Sequence, residues 1–412
     1  MKRVFLILAL FAITAVSSDA QLTPDVTSWI INTTGATGYA GIPSNVQQVQ
    51  YSANNVYVSA SCIPGYSIGP WTGNPNIPIN KNFVFKITRN PVKNTGALVT
   101  VGLGHIGVWS NGVSIYNSQD AMSYNGANVW LQNAYYFEGV SFDACLGHPD
   151  QGGEYHHHVN PKCLYNDLDS THHSPLIGFA FDGFPIYGAY AYADTNGTGG
   201  IKRMRTSYQL RTITTRTTLP DGTAASSAGP AVSTAYPIGD YVQDYIYVAG
   251  SGDLDDHNGR FCKTPEYPNG IYAYFVTVDA SLNPVYPYVI GPTYYGTVQA
   301  GNTNGPGSGH NTITETVTTY NPVSVAQVTK KLTIDIYPNP AQDHLFLYLE
   351  PIVSNNFTVL LIDMTGKVLF RQSNIQPTIS YALDISNIPG GTYLINIRNE
   401  ETELTQKVII LH

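Results

Sequence analysis

Glycine and proline punctuate this chain so often that a long helix has almost nowhere to form. Its 412 residues include 38 Gly and 26 Pro, together with 30 Tyr. Proline removes a backbone donor and clashes with the preceding helical turn, while glycine loses the most conformational freedom on ordering. Tyrosine suits the pleated, half-buried surface of a strand. Short apolar runs bounded by turn residues follow from this mix: NFVFKITR at 82–89, LIGFAFDGFPIYGAY at 176–190 and IYAYFVTV at 271–278. Asp182–Gly183 reads as a tight hairpin turn, because glycine supplies the positive φ. Pro185 directs its strand towards a sheet edge. Only GANVWLQNAYY at 126–136 has mild helical character. The expected class is all-β: a large irregular β domain followed by a small immunoglobulin-like β-sandwich.

Charge narrows the function. Charged residues make up 12% of the chain, about half the usual share. The net charge is −8, and a nucleic-acid binder would carry a basic stripe instead. The one basic cluster, Lys202, Arg203, Arg205, Arg211 and Arg216, alternates with Thr and Ser and reads as a solvated strand face. Lys2 and Arg3 precede an apolar run from Val4 to Val16, and Ser18 and Ala20 fit a small-residue cleavage site. That run is too short to span a bilayer, and no other stretch reads as a transmembrane span. A secretory signal peptide over 1–20 is expected, and with it a soluble exported chain.

Export favours oxidised cysteines. Four cysteines allow three pairings. Cys145 and Cys163 bracket a histidine run and form the favoured pair, which leaves Cys62 with Cys262 by elimination. Thiolate ligation of a metal is the competing use.

Residues 21–300 are expected to form the large β domain. Residues 301–330 are rich in Gly, Thr, Asn and Pro and read as a flexible linker. Residues 331–412 form a third unit, in which LTIDIYPNP, HLFLYL, FTVLLI, KVLFRQ, TYLINIR and QKVIIL read as strands. The YPNP at 337–340, the DMTGK at 363–367 and the ending GTYLINIRNEETELTQKVIIL resemble the type IX secretion C-terminal sorting domain of Bacteroidota. The resemblance implies handling by the type IX secretion machinery, with the protein secreted or held at the cell surface.

Of the 11 His, seven lie between 105 and 173: His105, His148, His156, His157, His158, His172 and His173. Imidazole is the commonest transition-metal ligand and binds while neutral. In GEYHHHVNPKCLY, strand alternation puts His156 and His158 on one face and His157 on the other. Two imidazoles two residues apart can reach one ion, with other ligands supplied from elsewhere. His148 and His173 are the first candidates, followed by Asp143, Asp182 and His257, with Glu138 a further nearby carboxylate. Such a set suits Zn²⁺ or copper. GDLDDHNGR at 252–260 matches a calcium loop only loosely. There is no G-x-S-x-G, Walker loop, dinucleotide fingerprint or H-E-x-x-H.

The order SFDACLGHPDQGGEYHHHVNPKCLY then HSPLIGFAFDGFPIYG is similar to the YHYH-domain family of secreted bacterial proteins. LGHIGVWSNGVSIYN (103–117), IKRMRTSYQLR (201–211) and GDLDDHNGRFCKTPEYPNGIYAYFVT (252–277) extend the match. Tyr155, His156 and His158 occupy the first, second and fourth positions of the naming motif, and His157 stands where the family has its second tyrosine. Three functions are consistent with these residues. One is an extracellular protein holding Cu or Zn. The second is a metal-dependent hydrolase or oxidoreductase, with Asp143 or Glu138 as general base. The third is an adhesin binding a glycan or small molecule.

Overall fold

The computed structural model describes residues 22–303, 307–322, 333–350, 356–376, 380–399 and 403–411. The expected signal peptide lies outside them. The described chain is almost entirely β, with α-helix confined to Pro24–Thr27 and Ala134–Phe137. The segment expected to be mildly helical thus yields a single turn, capped where the Asn133 side chain accepts from the Tyr135 amide. No helix among the described residues is long and apolar enough to cross a membrane.

An eight-stranded sheet forms the centre. Its order is Gly259–Cys262, Ile271–Phe275, Pro185–Tyr187, Leu176–Ala180, His105–Trp109, Ser114–Tyr116, Tyr155–His157 and His148–Pro149. Alternation divides its side chains between two cores. Val108, Phe179, Tyr187, Ala273 and Phe275 pack on one face against Val49, Val56, Val58, Phe83 and Phe85 of a four-stranded sheet. Ile106, Ile115, Ile177, Ile186, Tyr272 and Tyr274 fill the other, under loops that bring Tyr286, Tyr288 and Tyr294.

Leu176–Ala180 and Pro185–Tyr187 form the hairpin, with Gly183 at φ +88° in its turn. The strand Pro185–Tyr187 is nevertheless interior, not an edge, because it also pairs with Ile271–Phe275. Pro185 is tolerated since it is the first residue of the strand and that second pairing starts at Ile186. The basic cluster is also not uniformly solvated. Arg216 is fully buried and forks onto Asp244, with Nε and Nη2 each 2.8 Å from a carboxylate oxygen. A partner 28 residues away leaves no trace in local spacing.

The expected linker is partly structured. Thr318–Thr319 adds an edge strand to Val46–Tyr51, and the Glu315 carboxylate accepts from Asn55 and Tyr57. Asn311 also reaches the Val84 carbonyl. Polar residues read as spacer are here satisfying the open edge of a sheet.

The C-terminal unit is an immunoglobulin-like sandwich. A three-stranded sheet of Thr333–Tyr337, His344–Glu350 and Ser380–Asp384 faces a four-stranded sheet of Val368–Ile375, Phe357–Asp363, Gly391–Arg398 and Glu403–Ile410. Leu345, Leu347, Val359, Leu361, Ile395 and Val408 make its core.

Cys145 and Cys163 are joined, closing the loop that holds the histidine run. Cys62 and Cys262 are free and buried, contrary to the pairing by elimination. Cys62 points at Ser114 and the Tyr155 carbonyl. Cys262 sits on the opposite edge strand, with four strands of the sheet between it and Ser114. Each thiol is taken up in the apolar core that the two sheets share.

Asp143 organises the loop. One carboxylate oxygen accepts the amides of Cys145 and Gly147. The other accepts the Gly69 amide, the Trp71 indole and the Tyr155 hydroxyl, the last at 2.9 Å. Gly147 must be glycine, since a Cβ there would lie 2.4 Å from the Tyr155 hydroxyl. Asp143→Ala is expected to cost about 3–5 kcal/mol in a urea titration, because it strands several buried donors at once. A loss under about 1 kcal/mol would remove Asp143 from this role.

Candidate metal centre

The site grows from strand pairing. His148–Pro149 runs antiparallel to Tyr155–His157, and the register sets His148 directly opposite His156. Directly opposed residues present side chains to the same face. His158 lies two residues past His156, on that face again. All three side chains are buried, and their ligating atoms lie within 4.8 Å of one another.

Each ring is held by its inner nitrogen. His156 Nδ1 donates to the Glu154 carbonyl at 2.9 Å, and His158 Nδ1 to the Asn117 carbonyl at 2.6 Å. A carbonyl can only accept, so the proton sits on Nδ1 in both. His148 Nδ1 lies 2.7 Å from Ser141 Oγ, which spends its own proton on the Glu138 carbonyl. The same tautomer follows for His148. Tyr116 stacks on His156 at 3.7 Å, and Phe142 meets both His148 and His158, fixing the ring planes.

In their neutral form the three rings present Nε2 lone pairs. His156 Nε2 and His158 Nε2 face each other at 3.1 Å. Glu138, at the C-cap of Ala134–Phe137, brings Oε2 to 3.0 Å from His158 Nε2 and 3.8 Å from His148 Nε2. Neither Glu138 Oε2 nor His148 Nε2 has an aligned hydrogen-bond partner. With the rings neutral, three imidazole nitrogens and a carboxylate oxygen converge as acceptors.

Burial disfavours protonation of His148 and His156. Burial first, then His158, pushes the His148 imidazole down to about 4. Burial, then His148 and His158, holds His156 well below its ordinary value. Burial opposes ionisation of Glu138, but the pull of His158, then of His148, leaves its carboxyl below the usual range. Two rings are thus neutral and the carboxylate charged at neutral pH.

The cluster opens on a cleft of about 630 Å³ that also borders Asn74, Asn76, Leu103, Gln119, Asp120 and Asp150.

The remaining sequence candidates lie elsewhere. His173 donates to the Ser174 carbonyl and packs on Tyr187 and Tyr192, outside the cluster. Asp143 is consumed by the loop. Asp182 accepts from Tyr274 and the Gly296 amide beneath the hairpin it was expected to turn. His257 bonds Thr293. In GDLDDHNGR, Asp253 is tied to Lys202 and Arg205, while Asp255 takes Tyr272 and two amides. His157 is turned away from the cluster, in edge contact with Trp109 and Tyr155. Glu138, a nearby carboxylate and candidate base by sequence, joins the histidines. Its signal was weak: one carboxylate ten residues before His148, with no motif spacing.

Residues 84–286 match the family model described as YHYH protein, and residues 335–411 match that of a secretion system C-terminal sorting domain. A search of curated proteins finds no match. The sorting domain implies interaction with type IX secretion machinery and delivery to the cell surface or the extracellular space. Tyr155, His156 and His158 lie inside the first match, and the sandwich of residues 335–411 is the second, so the chain carries a YHYH domain followed by a secretion sorting domain.

Proposed function

We propose that this exported protein binds one transition-metal ion, Zn²⁺ or copper, through Nε2 of His148, His156 and His158, with Glu138 as a carboxylate donor. The observation that carries the reading is the convergence of three imidazole nitrogens and one carboxylate oxygen on one point. Nitrogen ligands with one carboxylate suit Zn²⁺ and copper better than the oxygen-seeking Ca²⁺ or Mg²⁺. The backbone carbonyls of Glu154 and Asn117 orient the rings as outer-sphere partners do in metal sites.

A second reading, catalysis, is favoured by the cleft in front of the cluster. A three-histidine site with an accessible side can place a bound water next to a substrate. Glu138, Asp120 and Asp150 line the cleft, with no Lys or Arg. Burial above all pushes the Asp120 carboxyl up to about 6. Anionic substrates such as phosphate esters find no counter-charge on those walls, so neutral or cationic ones fit better. Chelator-sensitive turnover of neutral esters or amides would support this reading. Full metal loading without turnover on such a panel would leave binding alone.

Purified protein is expected to carry about one equivalent of metal by elemental analysis. The His156→Ala/His158→Ala double variant should carry none while retaining its β-sheet circular dichroism. Metal retained by that variant would refute the ligand assignment. Glu138→Gln should weaken affinity about 10- to 100-fold in a competition titration.

Metal should also stabilise the fold by mass action. With free ion at 100 to 1,000 times Kd, chelation is expected to remove about 2.7–4 kcal/mol of stability. Identical thermal unfolding with and without chelator would argue against the site.

A further inference from the structure

The C-terminal sandwich has apolar residues on a face that its own core does not use. In the paired strands Thr333–Tyr337 and His344–Glu350, Ile336, Leu345, Leu347 and Leu349 point into the core of the sandwich. Alternation sends Tyr337, Phe346 and Tyr348 the other way. In a free two-layer module that face would meet water, yet these rings are only 3–6% exposed.

What covers them is the loop of the metal centre. Tyr337, Phe346 and Tyr348 form one buried cluster with Tyr66, Cys145 and Cys163. The Tyr337 hydroxyl donates to Asp167 at 2.8 Å and lies 2.6 Å from that of Tyr348. The Tyr348 hydroxyl also reaches the Lys162 carbonyl. Lys162 Nζ sits 4.6 Å from the centre of the Phe346 ring, and burial lowers the pKa of this amine. Asn166 donates to Asp335 at the rim. The contact joins an aromatic face to a disulfide, a cation and a carboxylate, which is the make-up of a recognition surface rather than of incidental touching.

We propose that this aromatic face is a docking surface by which the sorting domain clamps, in cis, the disulfide-closed loop that presents His148, His156 and His158. The residues from Cys145 to Cys163 are held from inside by Asp143 and from outside by Tyr337, Phe346 and Tyr348. Detachment of the sorting domain would expose the disulfide and loosen the loop. The effect on metal affinity rests on the metal reading above; the clamp itself does not.

The test uses the full chain with Phe346→Ala and Tyr348→Ala together. A second variant, Lys162→Glu, leaves the sorting domain's sequence untouched and replaces a cation over an aromatic ring with an anion. Two readouts follow the clamp directly: the rate at which dithiothreitol reduces Cys145–Cys163, and hydrogen exchange across residues 143–166. In both variants reduction should accelerate roughly tenfold or more, with exchange rising in that segment. Exchange of strands Phe357–Asp363 and Gly391–Arg398 should stay unchanged in Lys162→Glu. If the double variant unfolds its own sandwich, Lys162→Glu decides. Unchanged reduction and exchange in Lys162→Glu would overturn the clamp. A Zn²⁺ titration separates the two ideas. Wild-type protein that binds no Zn²⁺ or Cu²⁺ defeats the metal reading and leaves the clamp to be judged by reduction and exchange. Weaker Zn²⁺ binding in Lys162→Glu supports the clamp and the site together.

Discussion

One buried carboxylate makes the rest of the site possible. Asp143 draws the Cys145 and Gly147 amides, the Gly69 amide, the Trp71 indole and the Tyr155 hydroxyl onto two oxygens. A charge in that position is costly unless it is fully solvated by donors. Its pKa is raised by burial, against which the four strongest donors pull down. The requirement for that many donors is what folds the loop tightly. It turns the chain at Gly147 and sets His148 opposite His156 across two short strands. Neither two-residue His148–Pro149 nor three-residue Tyr155–His157 would persist as an isolated pairing. The carboxylate on one side and the disulfide on the other hold their register.

The geometry of the proposed ligands then follows with little further cost. A cross-strand pair and an i, i+2 pair meet at His156, so three rings share a face. Their inner nitrogens find acceptors already present: the carbonyls of Glu154 and Asn117, and the Ser141 hydroxyl. Rings held this way have little freedom left to lose when an ion binds, which is where pre-organised sites gain affinity. His156 Nε2 and His158 Nε2 are already held 3.1 Å apart.

How much of this was legible depended on the range of the interaction. The all-β class, the hairpin at Asp182–Gly183 and the strands of the C-terminal sandwich followed from turn residues and period-2 patterning, both of which act within a few positions. The shared face of His156 and His158 is the same kind of local fact. His173 follows the histidine run as His148 precedes it, yet the fold turns it into an aromatic pocket of Tyr187 and Tyr192. No motif spacing decides between the two, because the difference is made by strand pairing. Glu138 was visible as a carboxylate but not as a neighbour, since one short helix turn aims it. Elimination failed for Cys62 and Cys262 for a related reason: counting cysteines ignores the four strands that stand between their surroundings.

The sorting domain bears on the site through the same disulfide. Small sandwiches are marginal on their own, because a unit of this size buries a limited share of its surface. A second apolar face of Tyr337, Phe346 and Tyr348 would be a liability for a module that travelled free, since exposed apolar patches invite association. Set against Cys145–Cys163 it becomes mutual support: the sandwich covers its rings, and the loop gains an outer wall opposite Asp143. The strand register puts both outcomes on one pair of strands, with Ile336 and Leu347 turned inward and Tyr337 and Phe346 turned to the loop. The alternation that gathers the histidines on one side of Tyr155–His157 also gives the export module an inner face for folding and an outer one for holding.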